Sequence, residues 1–196
     1  MARTNPTRIP GRWREGYALD YHTVSSVFLG YDEFGHGKFD TTRTEVGELL
    51  YRLKYSNDKT AVADLVGTSA GFARSWKPGV DLLIPTPPSR RRAEQPLLLV
   101  AGPLAEALGI AFAPEYVTKA KEIPELKDVH DFDQRTKLLE GAFKVDKVKT
   151  AGKRVLLFDD LFRSGATLNA LGALLYDEGE AADVCALTLT RTRSNR

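Results

Sequence analysis

Residues 155–169, VLLFDDLFRSGATLN, constrain the fold of this chain more than any other stretch. The first four residues are apolar, and leaving each large apolar side chain in water costs roughly 1.5 to 3 kcal/mol, which predicts a buried central strand. Two carboxylates follow directly, and a short run of small residues then leads into leucines at helical spacing. An apolar strand, an acidic turn and an amphipathic helix in this order indicate one unit of a layered α/β protein.

The same alternation of strand and helix patterns continues through most of the chain after about residue 60. The strands are nearly continuous in apolar residues, as expected where helices cover both faces of a sheet. We therefore predict an α/β fold with a doubly wound, mainly parallel sheet. Predicted strands are VDLLIP, APEYVTKA, GAFKVD, KRVLLFDD and ADVCALTLT, and predicted helices are KTAVADLVGTSAGFAR, QPLLLVAGPLAEALG, VHDFDQRTKLLE and TLNALGALLYDEG.

The N-terminal part of the chain has a different composition. Residues 1–12 contain two prolines and a glycine and are predicted to form a flexible arm. Residues 13–60 are dense in aromatic side chains, with short β patterns around a glycine-rich turn, and then apolar residues at helical spacing. We predict a small N-terminal subdomain at 13–60 and an α/β core at 61–196.

Composition excludes several classes of protein. The 196 residues carry 28 Lys and Arg against 26 Asp and Glu, so the net charge of +2 creates no global field for nucleic acid or membranes. A single cysteine rules out a disulfide framework or a cysteine-rich zinc site within one chain. Because neither a signal-peptide pattern nor a run of about 18 apolar residues occurs, we expect a cytoplasmic protein without membrane attachment.

The acidic turn and the helix start predict a site for a phosphorylated sugar. Two neighbouring carboxylates, Asp159 and Asp160, accept hydrogen bonds and suit the vicinal hydroxyls of a ribose. Amides at the helix start, the positive end of the helix dipole and the hydroxyls of Ser164 and Thr167 suit a phosphate, which Gly165 allows to approach the backbone. An isolated Asp-Asp pair would favour a simple helix cap. The complete combination favours a ribose 5-phosphate site.

A second turn, IPTPPSRRR at residues 84–92, follows another predicted strand. Its prolines stiffen the backbone, and a serine and three arginines offer hydrogen-bond donors and positive charge. Each arginine taken alone is as readily explained as solvated surface charge. The loop as a whole predicts an anion site.

Residues 155–169 resemble the motif with which type I phosphoribosyltransferases bind phosphoribosyl pyrophosphate (PRPP). The chain also resembles the competence-associated ComF-like branch of that family, since RLKYSNDKTAVADL, IPTPPSRRRAEQP and RTKLLEGAFKV recur there in this order. Two departures stand out. Arg163 occupies a position where many members have a small hydroxylated residue, and the N-terminal cysteine zinc module of many ComF-like proteins is absent from this sequence.

The resemblance implies a type I phosphoribosyltransferase-like fold, with residues 13–60 as a hood and Asp159 and Asp160 as the catalytic pair. The charged stretch containing Lys119 and Lys121 would be a mobile loop, although a plain surface loop explains that stretch equally well. The ribose and phosphate would bind at Asp159, Asp160, Leu161, Phe162, Arg163, Ser164, Gly165, Ala166 and Thr167. The diphosphate would bind at Thr86, Pro87, Pro88, Ser89, Arg90 and Arg91.

The implied activity is Mg2+-dependent transfer of ribose 5-phosphate from PRPP to an unidentified nitrogenous acceptor, with release of diphosphate, a reaction of nucleotide metabolism. Mg2+ would take most of its ligands from PRPP, while Asp159 and Asp160 would assist indirectly through PRPP or water. The hood would bind the small-molecule acceptor and determine which acceptor is used. Since related folds commonly dimerise, a homodimer is a further expectation.

Two other functions compete with this one. A non-catalytic ComF-like factor in DNA uptake or regulation would bind PRPP or single-stranded DNA, the latter through residues 90–92 and the tail TRTRSNR, where solvated charge is the simpler explanation. A serine hydrolase would use GTSAG around Ser69, but that motif needs a preceding strand, and AVADLV predicts a helix. His22, His36 and His130 are too scattered to predict a metal site.

Overall fold

The structure is a computed structural model in which residues 1–88, 94–121 and 138–193 are described. The strands are β1 (Thr7–Arg8), β2 (Glu15–Tyr21), β3 (Thr23–Tyr31), β4 (Gly37–Arg43), β5 (Leu82–Pro85), β6 (Ala111–Phe112), β7 (Val117–Lys119), β8 (Phe143–Val145), β9 (Arg154–Phe162) and β10 (Asp183–Arg191). The helices are α1 (Glu45–Tyr55), α2 (Ala61–Trp76), α3 (Pro96–Leu108), α4 (Lys147–Thr150) and α5 (Ala166–Asp177). Across these ranges, no helix is both long enough and apolar enough to cross a membrane.

Six strands form the central sheet, in the order β1-β2-β10-β9-β5-β6. Strands β2, β10, β9, β5 and β6 run parallel to one another, and β1 pairs antiparallel with β2 at one edge. The two central strands are the longest apolar ones, β9 and β10, each with nine residues. The predicted α/β class with a mainly parallel sheet is confirmed.

Strand β9 is buried on both faces, which explains its uninterrupted apolar run. Successive side chains of a strand point to opposite faces. Val155 and Leu157 accordingly pack in a cluster with leucines of α5, whereas Leu156 and Phe158 pack in a second cluster with apolar residues of α1, α2 and α3. The sheet therefore has helices on both sides.

Two of the predicted strands lie outside the parallel sheet. The segments APEYVTKA and GAFKVD contain β7 and β8, which form a separate antiparallel pair. Each strand has three residues, and the two pair with each other at Val117 and Val145, Thr118 and Lys144, and Lys119 and Phe143. Most of the predicted helix VHDFDQRTKLLE lies outside the described residues.

The central sheet also includes part of the predicted N-terminal subdomain. Strand β2 pairs in parallel with β10, and its Ala18 and Leu19 are fully buried on opposite faces. Residues 1–12 lie against the fold instead of extending from it as the predicted arm, since the Asn5 amide donates to the Leu19 carbonyl and Ile9 is buried. The domain boundaries at residues 12 and 60 stay a prediction.

Strands β3 and β4 form an antiparallel hairpin outside the central sheet. The hairpin connects β2 to α1, whose first turn is capped by the Thr44 hydroxyl accepting from the Gly47 amide at 3.0 Å. Along β3, every residue from Val24 to Leu29 is exposed.

Candidate functional site

The carboxyl ends of β5 and β9 meet at one edge of the sheet. These neighbouring parallel strands pair Pro85 with Phe158. The residues that follow are therefore side by side: the Thr86 amide donates to the Phe158 carbonyl at 2.9 Å, and the Thr86 hydroxyl donates to Asp159 Oδ1 at 2.7 Å. The two predicted anion-binding segments start from this contact, as expected for the ligand-binding edge of an open α/β sheet.

The acidic pair lies within β9, which extends two residues beyond the pair to Phe162. Each carboxylate has its own partner. Asp159 Oδ1 also accepts from the Asp160 amide at 2.8 Å, while Asp160 Oδ2 accepts from Lys54 Nζ at 2.8 Å. The side chains of Lys54 and Asp160 are 23% and 22% exposed, so this ion pair is largely shielded from water.

The surroundings of the acidic pair change two pKa values. Desolvation and the neighbouring charge of Asp160 raise the pKa of Asp159 to about 7, against the lowering effects of the Thr86 hydrogen bond and the Lys54 charge. Desolvation lowers the pKa of Lys54, but the charge and hydrogen bond of Asp160 outweigh it, so that its pKa is raised. Near neutral pH, the site therefore holds an ion pair beside a carboxyl group that is close to its titration midpoint.

Helix α5 begins at the same edge, directly after the acidic strand. Gly165 precedes it with a φ of 78°, a left-handed conformation that favours glycine. A Cβ atom at this position would lie 2.7 Å from the ring of Phe162, so the turn has no room for a side chain. The Ala166 amide donates to the Ser164 hydroxyl at 3.4 Å. The chain thus turns tightly from strand to helix and directs the start of α5 towards the acidic pair.

These elements enclose a cleft with a volume of about 230 Å³. The first turns of α3 and α5 both contribute to its lining, so the positive ends of two helix dipoles lie at one cavity. The lining residues are Lys54, Thr86, Pro87, Pro88, Gln95, Pro96, Leu97, Leu98, Asp159, Asp160 and Thr167.

One curated protein is similar to this chain in sequence. Competence protein ComFC of Bacillus subtilis (strain 168) is 29% identical over 153 residues, which are 74% of this chain and 59% of ComFC. The chain therefore spans about 59% of the length of that relative. No protein-family model matches the sequence.

Solved structures provide the second comparison. Adenine phosphoribosyltransferase from Saccharomyces cerevisiae, in a complex with an imino-altritol bisphosphate and adenine, superposes with a TM-score of 0.50 and 17% identity, over 86% of this chain and 84% of the yeast chain. The chain has the fold of a type I phosphoribosyltransferase. The enzyme from Thermoanaerobacter pseudethanolicus has a TM-score of 0.46 and 19% identity, over 86% of this chain and 95% of that enzyme. The resemblance identified from the sequence motifs is confirmed.

Within this phosphoribosyltransferase fold, the cleft unites residues from both predicted anion sites. Asp159, Asp160 and Thr167 line it together with the segment from Thr86 to Pro88. Ser89, Arg90, Arg91 and Arg92 lie outside the described residues, so their predicted role stays a prediction.

Three other residues of the predicted ribose-phosphate segment differ in their burial. Phe162 is buried and contacts Trp13 edge to face, with 6.5 Å between ring centroids. Ala166 is also buried, whereas Arg163 is exposed. Phe162 thus supports the turn at Gly165 from the core side.

The two lysines of the predicted mobile loop lie on or beside the separate β7–β8 pair. Lys119 ends β7, and Lys121 Nζ donates to the Glu140 carbonyl at 2.6 Å. Neither lysine lines the cleft described above. Residues 122–137, which include the rest of the predicted loop and His130, are outside the described part of the chain.

The sequence prediction missed Gln95, Pro96, Leu97 and Leu98 of the cleft lining, and it also missed Lys54. Lys54 lies within RLKYSNDKTAVADL, one of the segments that carries the ComF-like resemblance, but no role followed from that segment alone. A usable signal is present in α1: Lys54 lies four residues after the buried Leu50, on the face of the helix that packs on the sheet. A lysine at such a position requires a buried partner, and Asp160 is that partner.

The helix predicted over the GTSAG motif is confirmed, which counts against the competing hydrolase function. Helix α2 runs from Ala61 to Trp76 through the GTSAG motif, so no strand precedes the serine. Ser69 is fully buried, and its hydroxyl donates to the Leu65 carbonyl at 2.8 Å within the helix. An inward-facing serine of this kind has no access to a substrate.

The described residues contain no group of three or more His, Cys, Asp or Glu side chains arranged to hold a metal ion. His22 Nδ1 lies 3.3 Å from the Thr190 hydroxyl, and His36 is exposed beside Asp32. Asp159, Asp160 and Thr86 nevertheless offer the oxygen atoms that Mg2+ prefers. Such a set fits an ion that takes most of its ligands from a bound diphosphate and water.

Proposed function

We propose that this chain binds PRPP together with Mg2+ and transfers its ribose 5-phosphate to a nitrogenous acceptor, with release of diphosphate. One observation carries the proposal: a single cleft is lined by both segments predicted to hold the two ends of PRPP. The fold shared with adenine phosphoribosyltransferase and the similarity to ComFC support it.

The phosphate of the ribose would bind at the start of α5. Free amides in the first turn of a helix and the positive end of its dipole favour an anion there. The left-handed Gly165 allows the backbone to approach phosphate oxygens closely, and Thr167 adds a hydroxyl at the cleft. This turn would fix the sugar at one end.

The vicinal hydroxyls of the ribose would donate to the acidic pair. Lys54 keeps the Asp160 carboxylate in place through the 2.8 Å ion pair, and Thr86 holds the Asp159 carboxylate through the 2.7 Å hydrogen bond. Because both carboxylates are anchored before the sugar arrives, little ordering entropy would be lost on binding.

The diphosphate would bind between the loop after β5 and the start of α3. Pro87 and Pro88 restrict the loop, and Pro96 begins α3 where its missing N–H is not needed. PRPP is phosphorylated at both ends, and the two helix starts at this cleft would each face one of those ends.

Mg2+, when bound, would neutralise charge on the departing diphosphate, with Asp159 and Asp160 contacting it through water or PRPP. The chain itself would position the sugar so that the bond from C1 to the diphosphate oxygen breaks as the bond from the acceptor nitrogen forms. The bonding electron pair leaves with diphosphate, and the acceptor nitrogen releases its proton to water. Such positioning accounts for much of the rate enhancement in reactions of this kind.

Isothermal calorimetry with PRPP, with and without Mg2+, tests the binding step. We expect Mg2+-dependent binding by the unmodified chain and its loss in Asp160→Asn. The matched control is Asp177→Asn, at the far end of α5, where the exposed carboxylate pairs with Arg12. Absence of PRPP binding by the folded unmodified chain would overturn the proposal. Diphosphate release in the presence of a panel of nucleobases tests the transfer step.

The similarity to a competence protein favours a second candidate, a ComF-like factor that binds PRPP or single-stranded DNA without catalysis. This non-catalytic candidate predicts that the chain binds PRPP but releases no diphosphate with any acceptor. Salt-dependent binding of a single-stranded oligonucleotide that Asp160→Asn leaves unchanged would indicate the DNA-binding form of this candidate.

A further inference from the structure

His22 lies at the bend between β2 and β3, where it contacts both β10 and the start of α1. Its amide donates to the Arg191 carbonyl at 2.8 Å, and its Nδ1 atom lies 3.3 Å from the Thr190 hydroxyl. Its own carbonyl lies so close to Gly47 that a Cβ atom added there would overlap with the carbonyl oxygen. His22 therefore joins β10 to the first turn of α1, the helix that carries Lys54.

Thr190 extends this contact to the acidic pair. It is fully buried, and its hydroxyl donates to the backbone carbonyl of Asp160 at 3.1 Å. Because a hydroxyl has one proton to donate, the oxygen of Thr190 can only accept from the imidazole of His22. Nδ1 of His22 is therefore a protonated ring nitrogen, and in the neutral ring Nε2 carries the lone pair.

The surroundings of the imidazole favour the neutral form. Desolvation and the positive charges of Arg43 and Lys54 lower the pKa of His22, against the raising effect of nearby carboxylates. The ring is therefore neutral at neutral pH. It donates the first hydrogen bond of a chain that runs from His22 through Thr190 to Asp160.

Asp160 is thereby held at two points. Lys54 of α1 binds its carboxylate at 2.8 Å, and Thr190 of β10 binds its carbonyl at 3.1 Å. Since His22 contacts both of those elements, it helps to set the position of Lys54 relative to the backbone of the acidic pair. Groups that bind a ligand need such support from hydrogen bonds behind them, because their positions must be kept to within a fraction of an ångström.

We propose that His22 is a positioning residue of the acidic pair and acts through Thr190 on the backbone of Asp160. The proposal rests on the proposed function, since an effect on PRPP requires that the acidic pair bind its ribose. His22 and Thr190 lie outside the described lining of the cleft, so neither contributes an atom to the sugar site. Loss of either side chain would displace Asp160 and leave every group that meets the sugar present.

Calorimetry with PRPP and Mg2+ tests the effect on binding. Thr190→Val keeps the shape of the side chain and removes its hydroxyl, so we expect it to weaken PRPP binding about tenfold, a common loss when a supporting residue is removed. Thr190→Ser restores the hydroxyl and should restore the affinity. The matched control is Thr188→Val, two residues earlier on β10, because Thr188 is equally buried and its hydroxyl has no hydrogen-bond partner among the described residues. This control should bind PRPP as the unmodified chain does.

Variants of His22 separate the hydrogen bond from the bulk of the ring. His22→Asn places an amide nitrogen near the position of Nδ1 and should retain binding, whereas His22→Leu should weaken binding as much as Thr190→Val. Because the two residues act in one chain, the double variant should bind no more weakly than either single variant. Thermal unfolding shows whether each variant is folded. Additive losses in the double variant, or equal binding by Thr190→Val and Thr188→Val, would overturn the proposal.

Nuclear magnetic resonance of the ligand-free chain gives a readout that does not depend on PRPP. The ring-nitrogen shifts of His22 should show a protonated Nδ1 and an unprotonated Nε2, and Thr190→Val should move the carbonyl carbon resonance of Asp160 further than Thr188→Val does. The opposite tautomer, or equal movement in the two variants, would overturn the proposal even if PRPP binds. If both signals are as expected but the unmodified chain binds no PRPP, the proposed function fails and the support of Asp160 by His22 stands.

Discussion

The carboxyl edge of the central sheet and the β3–β4 hairpin place similar apolar sequences in opposite environments. Residues Val155 to Phe158 of β9 are fully buried, with helices on both faces. In β3, Val27 and Phe28 are 56% and 49% exposed, with no covering element in the described chain. An apolar run therefore does not by itself show that a strand is buried, since the elements that pack against the strand decide its burial.

The largest difference is expected between two phenylalanines. Phe158→Ala removes a fully buried ring between the sheet and the helices α1 to α3, which should lower the free energy of unfolding by about 3 to 5 kcal/mol. Phe28→Ala removes a half-exposed ring whose contacts with Phe39 and Tyr31 are worth about 0.5 to 1.5 kcal/mol each. Urea unfolding at low protein concentration measures both. Equal losses would show that the hairpin is packed within one chain.

A second comparison uses two glycines with nearly the same backbone conformation. Gly165 at the site has a φ of 78°, and Gly35 at the hairpin turn has a φ of 79°. Alanine at either position adds left-handed strain of about 1 to 2 kcal/mol. At Gly35 the added Cβ meets no atom within 4 Å, but at Gly165 it lies 2.7 Å from the Phe162 ring.

We therefore expect Gly165→Ala to lower the free energy of unfolding by about 1 to 3 kcal/mol more than Gly35→Ala does, because the ring of Phe162 must move. It should also weaken PRPP binding, whereas Gly35→Ala should leave binding unchanged. Thermal unfolding and calorimetry measure the two effects. If both alanine variants lose the same stability, close packing at the strand-to-helix turn is not what requires glycine at position 165.

The sequence predicted local features of the site better than its long-range contacts. The strand, the acidic pair and the start of α5 are consecutive in the chain, so apolar pattern and turn residues suffice to place them. Lys54 was missed because its partner Asp160 is 106 residues away, and α1 alone does not reveal what its buried face contacts.

The same limit applies to β2. Only two of its residues, Ala18 and Leu19, are apolar and fully buried, and Glu15 and Asp20 flank them, so the pattern of a central strand is weak. Its neighbour β10 is far along the chain, and pairing between them depends on the completed sheet. From its sequence alone, β2 is therefore grouped with the neighbouring aromatic-rich hairpin in the predicted subdomain at residues 13–60, and its place in the central sheet is not evident.

The raised pKa of Asp159 at the carboxyl edge of the sheet predicts that the stability of the protein depends on pH. Folding raises this pKa from its ordinary value near 3.8 to about 7. The contribution of Asp159 to the free energy of unfolding is therefore fully present below about pH 4 and is lost as the pH rises through about 7. Asp159→Asn removes this titration and retains an oxygen for the Thr86 hydrogen bond.

We expect Asp159→Asn to be more stable than the unmodified chain at alkaline pH, by on the order of 2 kcal/mol, and to lose that advantage in acid. Urea unfolding of this variant and of the unmodified chain at a series of pH values measures the difference. A difference that stays constant with pH would show that Asp159 is not desolvated.

The smallest expected effect concerns Lys54, and it separates an electrostatic role from a packing role. Lys54 lowers the pKa of Asp159 and pairs with Asp160, so Lys54→Gln should raise the Asp159 pKa and weaken PRPP binding about tenfold, or about 1.4 kcal/mol. Binding that requires an ionised Asp159 strengthens as pH rises through its pKa. The midpoint of the pH profile of PRPP affinity should therefore move to higher pH in Lys54→Gln and stay in place in Lys54→Arg, which keeps the charge.

Lys59→Gln, which breaks an exposed pair with Glu94 beside the same cleft, is the matched control. If Lys54→Gln binds PRPP more weakly at every pH and the midpoint does not move, Lys54 contributes through packing and not through its charge. The affinity of the carboxyl edge for PRPP would then come from the shape of the cleft and the helix dipoles alone.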